Sequence, residues 1–263
     1  MADEPMVSCL MVTLPVADRW EGLKRSIGDY LRQTHARREL VIVVDTRARA
    51  GTAEAIGDYV RGLGRSDIRV FNPAAPASLG ALRNVSLSEA TGDVLCVWDD
   101  DDMRHPERVS RQVASLTASG AEGVCLTHVM QFFPRERRLY CTNWRPTEAR
   151  GLPASLVCWR SAPIAYPESG PSSERGEDMA VLQQLKARGR FHLLEDAPHL
   201  YVYVSHGKNT YEQEHHQMLL RLAITRGLLK RHEATLREGL APLDFGPGQV
   251  TVQGSNGPAF VIG

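Results

Sequence analysis

The sequence predicts an α/β protein built on a mostly parallel sheet flanked by helices. Two observations carry this. Short β-branched apolar runs alternate with helical patterns through the first half of the chain, as in a sheet built from crossover units, and each run leads into a polar loop. Strands are expected over 7–13, 39–45, 68–71 and 94–98, separated by helices over 20–33, 52–63 and 79–90. In open sheets of this kind ligands bind beyond the carboxyl ends of the strands. The loops Thr13-Leu14-Pro15, Asp45-Thr46-Arg47 and Asp99 to Asp102 should therefore converge on one crevice.

Beyond a helix over 107–119 the pattern is less regular. Strand-like 123–129 and 139–143 flank a turn of Pro and Arg and imply a mixed sheet. Residues 151–176, rich in Pro, Ser and Gly, read as a long functional loop ending in a helix over 177–188. A strand over 200–204 leads to His206-Gly207-Lys208-Asn209-Thr210, and one helix over 211–236 precedes a Gly/Pro-rich tail from 241 to 263. The expected organisation is a core over 1–210 in two halves that meet at about residue 105. Residues 211–263 pack on that core as a helix and a tail.

Composition limits the partners. Lys and Arg number 31 and so do Asp and Glu, so no net field draws the chain to nucleic acid or to an anionic membrane. The five cysteines are odd in number and widely spaced, with no pairing for zinc or redox chemistry, and read as reduced thiols in a cytoplasmic protein. No apolar run approaches the roughly 20 residues that span a bilayer, and the first five residues lack the basic start of a signal peptide. In the 211–236 segment Leu219, Leu220, Leu222, Ile224, Leu228 and Leu229 accompany Arg221, Arg226, Lys230 and Arg231. Packing in the core or against a second copy is the preferred reading of that face, and peripheral contact with the inner face of a membrane is the other.

The chemistry concentrates at Asp99-Asp100-Asp101-Asp102, four carboxylates immediately after an apolar strand. Like charges packed at a strand end are costly unless a cation binds, and hard oxygen ligands suit Mg²⁺ or Mn²⁺. A solvated acidic turn capping the next helix is the plainer alternative. Glu177-Asp178 opens an amphipathic helix, where a fixed carboxylate can accept a proton from an attacking hydroxyl, although acids in a first turn also simply complement the helix dipole. Arg83, in Gly80-Ala81-Leu82-Arg83-Asn84, either neutralises the aspartates or a diphosphate or is a surface residue. His206 is a candidate metal ligand and Lys208 a candidate phosphate contact, against a loop histidine and a solvated lysine.

Taken together, these residues resemble the family 2 glycosyltransferases, inverting enzymes of the GT-A fold. The resemblance runs over about 7–210 and is most specific in Gly80 to Asn84, in Gly92 to Asp102 and in His105-Pro106-Glu107. It implies a nucleotide-binding half to about residue 105 with an acceptor-binding half after it, and a D-x-D motif at Asp99 and Asp101, with Asp101 the principal metal ligand and Asp102 supporting the loop or the sugar. His206 to Thr210 is similar to a His-Gly-x-Asn-Thr element of some members. It also implies Asp178 as catalytic base beside Glu177, and Asp45 against the nucleobase. Thr13, Pro15, Arg83, Asp99, Asp100 and Lys208 complete the expected contacts to a nucleotide diphosphate sugar.

The chain departs from the family at Pro15-Val16-Ala17-Asp18-Arg19, which lacks an aromatic and an Asn, and at Asp45-Thr46-Arg47-Ala48, which keeps a single acid. Both lie in the expected nucleobase pocket. The Gln/Arg-x-x-Arg-Trp element of processive synthases is absent. The expected function is one metal-dependent, inverting transfer, from a UDP-sugar by preference, to an acceptor hydroxyl on a glycan, lipid-linked or small molecule. A nucleotidyltransferase is disfavoured because Thr13 to Arg19 contains no glycine for a phosphate loop. A non-catalytic sugar-nucleotide sensor would keep the metal site without needing Asp178.

Overall fold

In a computed structural model the described residues are 4–14, 19–45, 47, 51–207, 209 and 211–263. The first half forms as expected: β1 (Val7–Thr13), α1 (Trp20–Leu31), β2 (Arg38–Val44), α2 (Thr52–Gly62), β3 (Ile68–Phe71), α3 (Leu79–Glu89) and β4 (Val94–Val97). After the short β5 (Met103–Arg104) come α4 (Arg108–Ser119), β6 (Gly123–Leu126), β7 (His128–Phe133), β8 (Arg138–Asn143) and β9 (Val157–Trp159). The remainder is α5 (Glu177–Ala187), β10 (Phe191–Leu194), β11 (Tyr201–Val204), α6 (Gln213–Met218), α7 (Arg226–Arg231), α8 (Glu233–Leu240), β12 (Val250–Gly254) and β13 (Gly257–Ile262).

Among the described residues a seven-stranded sheet runs β10-β6-β9-β4-β1-β2-β3. Its strands are parallel except β9, which is antiparallel to both neighbours. Alternation along the strands splits the core in two. Val7, Cys9 and Met11 meet Leu23 and Ile27 of α1, Ile56 of α2 and Val109 of α4 on one face, while Leu10, Val41 and Val97 meet Leu82 of α3 and Leu182 of α5 on the other. This two-sided covering is why the strands read as continuous apolar runs.

A second sheet, β13-β12-β8-β7-β11-β5, stands beside the first. The strand expected over 123–129 is divided between the two sheets, with β6 in one and β7 in the other. The segment read as a long loop contains β9, a three-residue strand wedged between β4 and β6. So short a strand leaves no readable periodicity.

The single helix over 211–236 is corrected as well. It breaks at Ala223, which is extended and bridges Thr142, and the Ile224 amide donates to the Cys141 carbonyl at 2.9 Å. Thr225 then restarts the helix, its side chain accepting from the Leu228 amide. Leu219 and Leu229 are buried, Leu228 is exposed, and no described helix is long and apolar enough to cross a membrane. The Gly/Pro-rich tail forms the hairpin β12-β13, whose first strand adds in parallel to β8. Its turn is the two residues Ser255-Asn256 between the paired Gly254 and Gly257, a short-range hairpin signal that a Gly/Pro count conceals.

Candidate active site

A cavity of about 710 Å³ opens beyond the carboxyl ends of the parallel strands, and its lining includes Asp45, Arg83, the Asp99–Asp102 turn, Glu177 and Asp178. The loops expected to converge do so. Pro15, Thr46, Lys208 and Thr210 lie outside the described residues.

The four aspartates have different surroundings. Asp99 accepts from Arg83 Nη2 at 3.2 Å, and its carbonyl accepts from the Ser26 hydroxyl at 2.9 Å. Asp100 is buried, and both of its oxygens are taken, by the Thr13 hydroxyl at 2.6 Å and by Arg19 Nη2 at 2.6 Å. Thr13 and Asp100 thus satisfy each other beneath the cavity. Asp101 Oδ2 meets Arg19 Nη2 at 2.9 Å and His206 Nε2 at 3.0 Å. Asp102 accepts the Val204 amide at 2.8 Å and the Tyr201 hydroxyl, tying the acidic turn to β11.

Environment separates their acidities. Burial, with repulsion from neighbouring aspartates, pushes Asp102 up to about 8, and burial pushes Asp100 up to about 6 despite Arg19. Burial opposes ionisation of Asp101 too, but the bond from His206 and the charge of Arg19 outweigh it and bring the group down to about 2.

Beneath the turn two fully buried arginines act as fixed cations. Arg104 Nη1 donates to the Asp102 carbonyl at 2.9 Å and to the Ser26 hydroxyl at 3.0 Å. The Arg104 and Arg108 guanidinium groups lie 4.7 and 5.4 Å from the Trp98 ring centroid, and 5.3 and 4.8 Å from that of Tyr201. Sequence reading missed Arg19, Arg104 and Arg108. The available signal was charge arithmetic, because four adjacent acids at a strand end require nearby cations.

Arg83 is not a surface residue. Its Nε donates to Glu177 Oε1 at 2.9 Å while Nη2 reaches Asp99, so α3 joins the acidic turn to the start of α5. Asn84 holds the 163–176 segment: it donates to the Tyr166 carbonyl at 2.9 Å and accepts the Tyr166 amide at 2.9 Å. Close packing enforces this arrangement, since a Cβ built on Gly80 would lie 1.9 Å from the Pro167 carbonyl oxygen. At the start of α5, Gly176 takes φ 79°, a left-handed conformation that glycine adopts without penalty.

Asp178 is partly buried and accepts the Met179 amide at 2.7 Å. A helix start by itself favours the charged form of a carboxylate. Burial, reinforced by Glu177, instead pushes it up to about 6 against the pull of Arg83. At the other end of the cavity, Asp45 is buried and its carboxylate is held by Arg47, whose Nε lies 3.0 Å from each oxygen. Arg47 Nη1 also meets Glu174 at 3.1 Å, linking the β2 loop to the 170–176 segment.

The donor set can be tested against a divalent cation. Among the described residues no three His, Cys, Asp or Glu side chains gather closely enough to enclose one. Asp101 Oδ2 and His206 Nε2 are, however, 3.0 Å apart, the spacing of two adjacent octahedral ligands about 2.1 Å from an ion. Such a pair suits Mg²⁺ or Mn²⁺ completed by water and phosphate oxygens, since Mg²⁺ ordinarily takes only one or two protein carboxylates. Asn209 steadies the histidine loop, accepting the His206 amide at 3.1 Å and donating to the Val204 carbonyl at 2.8 Å.

Residues 11–157 match the sequence profile described as Glycosyl transferase family 2. Solved structures share the fold. The 1–349 portion of TarS from S. aureus is 15% identical, with a TM-score of 0.58 over 90% of this chain and 70% of that one. Its complex with UDP-GlcNAc is 14% identical, with a TM-score of 0.57 over 90% and 70%. The mannosyltransferase PcManGT from Pyrobaculum calidifontis, in complex with GDP-Man and Mn²⁺, is 15% identical, with a TM-score of 0.56 over 89% and 64%. No curated protein sequence matches the chain.

Proposed function

The chain belongs to glycosyl transferase family 2, and from that premise we propose that it performs a metal-dependent, non-processive, inverting transfer of one sugar from a nucleotide diphosphate to an acceptor hydroxyl. The observation that carries this reading is the bridge from Arg83 to Asp99 and Glu177, which brings the acidic turn and Asp178 to one cavity. A sensor would have no need of a carboxylate poised at that wall.

Asp101 and His206 would hold the divalent ion, with Asp99 nearby. When bound, the ion supplies Lewis-acid stabilisation of the negative charge that develops on the departing diphosphate. Asp178 accepts the acceptor hydroxyl's proton as that oxygen bonds to the anomeric carbon. The bond from the anomeric carbon to the diphosphate breaks, and its electron pair leaves with the nucleotide. Glu177, neutralised by Arg83, fixes the helix start, and the buried arginines keep the acidic turn rigid before substrate arrives.

A uridine nucleotide is the proposed donor base, with the Asp45-Arg47 pair at the nucleobase end. Residues 163–176, held over α3 by Asn84, form the acceptor side. Incubation with UDP- and GDP-sugars and Mn²⁺ tests the reading. Slow donor hydrolysis supports a transferase, pyrophosphate release from a nucleoside triphosphate and a sugar phosphate would replace it with nucleotidyl transfer, and saturable binding without turnover would replace it with a sensor.

A further inference from the structure

Arg19 sits on the oxygen that the metal reading requires. One nitrogen of its guanidinium, Nη2, bridges Asp100 Oδ1 at 2.6 Å and Asp101 Oδ2 at 2.9 Å, and that same Oδ2 faces His206 Nε2 at 3.0 Å. The Arg19 side chain is 18% exposed, and its Nε is buried without a hydrogen-bond partner among the described residues. The arm is therefore directed at the acidic turn and incompletely satisfied there. A guanidinium and a divalent ion cannot occupy the same side of one carboxylate oxygen without close repulsion of like charges.

We propose that Arg19 is a tethered competitor of the divalent cation, displaced when the nucleotide diphosphate arrives. In the free protein it neutralises Asp100 and Asp101 and lowers the affinity of the site for metal. A diphosphate is a better partner for the same guanidinium, which binds phosphate oxygens in bidentate geometry. Transfer of Arg19 to the diphosphate clears Asp101 Oδ2 for the ion, so metal and nucleotide strengthen each other's binding by the same factor.

Loss of Arg19 leaves the shape of the turn supported by other contacts. The Asp101 carbonyl accepts from Arg25 Nη2 at 2.7 Å, the Asp99 carbonyl accepts from Ser26, and Asp100 keeps the Thr13 hydroxyl. A variant at position 19 thus tests competition with the turn in place.

The inference rests on the metal reading of the site, and direct titration of Mn²⁺ separates the two. Free Mn²⁺ is followed by electron paramagnetic resonance for wild type, Arg19→Gln and Arg19→Lys, alone and with saturating UDP or GDP. Arg19→Gln is expected to bind Mn²⁺ alone about tenfold more tightly than wild type, within the usual range of coupling between neighbouring ligands. The enhancement of Mn²⁺ binding by nucleotide is expected to shrink by the same factor. Arg19→Lys, whose ammonium can bridge the two oxygens as Nη2 does, stays nearer to wild type. Equal or weaker Mn²⁺ binding by Arg19→Gln, an undiminished nucleotide effect, or Arg19→Lys exceeding Arg19→Gln would overturn the proposal while leaving the metal site standing. Absence of Mn²⁺ binding by wild type with either nucleotide would sink both.

Discussion

Arg83 and Glu177, 94 residues apart in sequence, form a 2.9 Å ion pair that is almost wholly removed from solvent. Because the same guanidinium reaches Asp99, one side chain sets the distance between the acidic turn and the proposed base. Arg83→Met leaves Glu177 buried and unpaired, so a stability loss of about 3 kcal/mol is expected in urea unfolding. A change within experimental error would show that the pair does not hold α5 in place.

Asp178→Asn keeps size and helix-start chemistry but cannot accept a proton. Sugar transfer should fall by about 10²- to 10⁴-fold with donor affinity little changed. Near wild-type turnover would end the base assignment and move attention to Glu177.

The raised pKa of Asp178 gives that role a pH signature. Burial and Glu177 push the group up to about 6, so its working, ionised form accumulates as pH rises through that value. kcat/KM should climb about tenfold per pH unit below 6 and level off above it. The residual activity of Asp178→Asn should lack this limb. A wild-type profile flat from pH 5 to 7 would count against Asp178 as the base.

Asp101→Asn should fail differently from Asp178→Asn. It removes a charged oxygen ligand, so metal-dependent donor binding itself should weaken, and more Mn²⁺ should restore part of it. Calorimetric titration of UDP with Mn²⁺ and with EDTA checks both statements, and affinity unchanged by EDTA would remove the metal from the mechanism.

Gly80→Ala probes the packing behind the site. The added methyl would meet the Pro167 carbonyl, and overpacking of this kind costs about 1–3 kcal/mol. Thermal unfolding should register the loss, and transfer should drop with it because α3 carries Arg83. An unshifted melting temperature would mean that the 163–176 segment yields without cost.

The sequence by itself determined the parallel half of the protein. Strands β1 to β4 and helices α1 to α4 follow from apolar period and turn residues, both local properties. It also put forward the acidic quartet and Glu177-Asp178 as candidates for the chemistry, since a run of adjacent acids is a local property of the chain. Tertiary structure alone decided the rest. The three residues of β9 are a strand only because β4 and β6 leave a gap between them, and 211–236 is broken because β8 offers Ala223 and Ile224 a partner. The cations Arg19, Arg104 and Arg108 were invisible as a group because an aspartate finds its counter-charge through space. Asp178 shows the same limit: the helix start favours its charge, but how much water the fold removes from the carboxylate set the outcome.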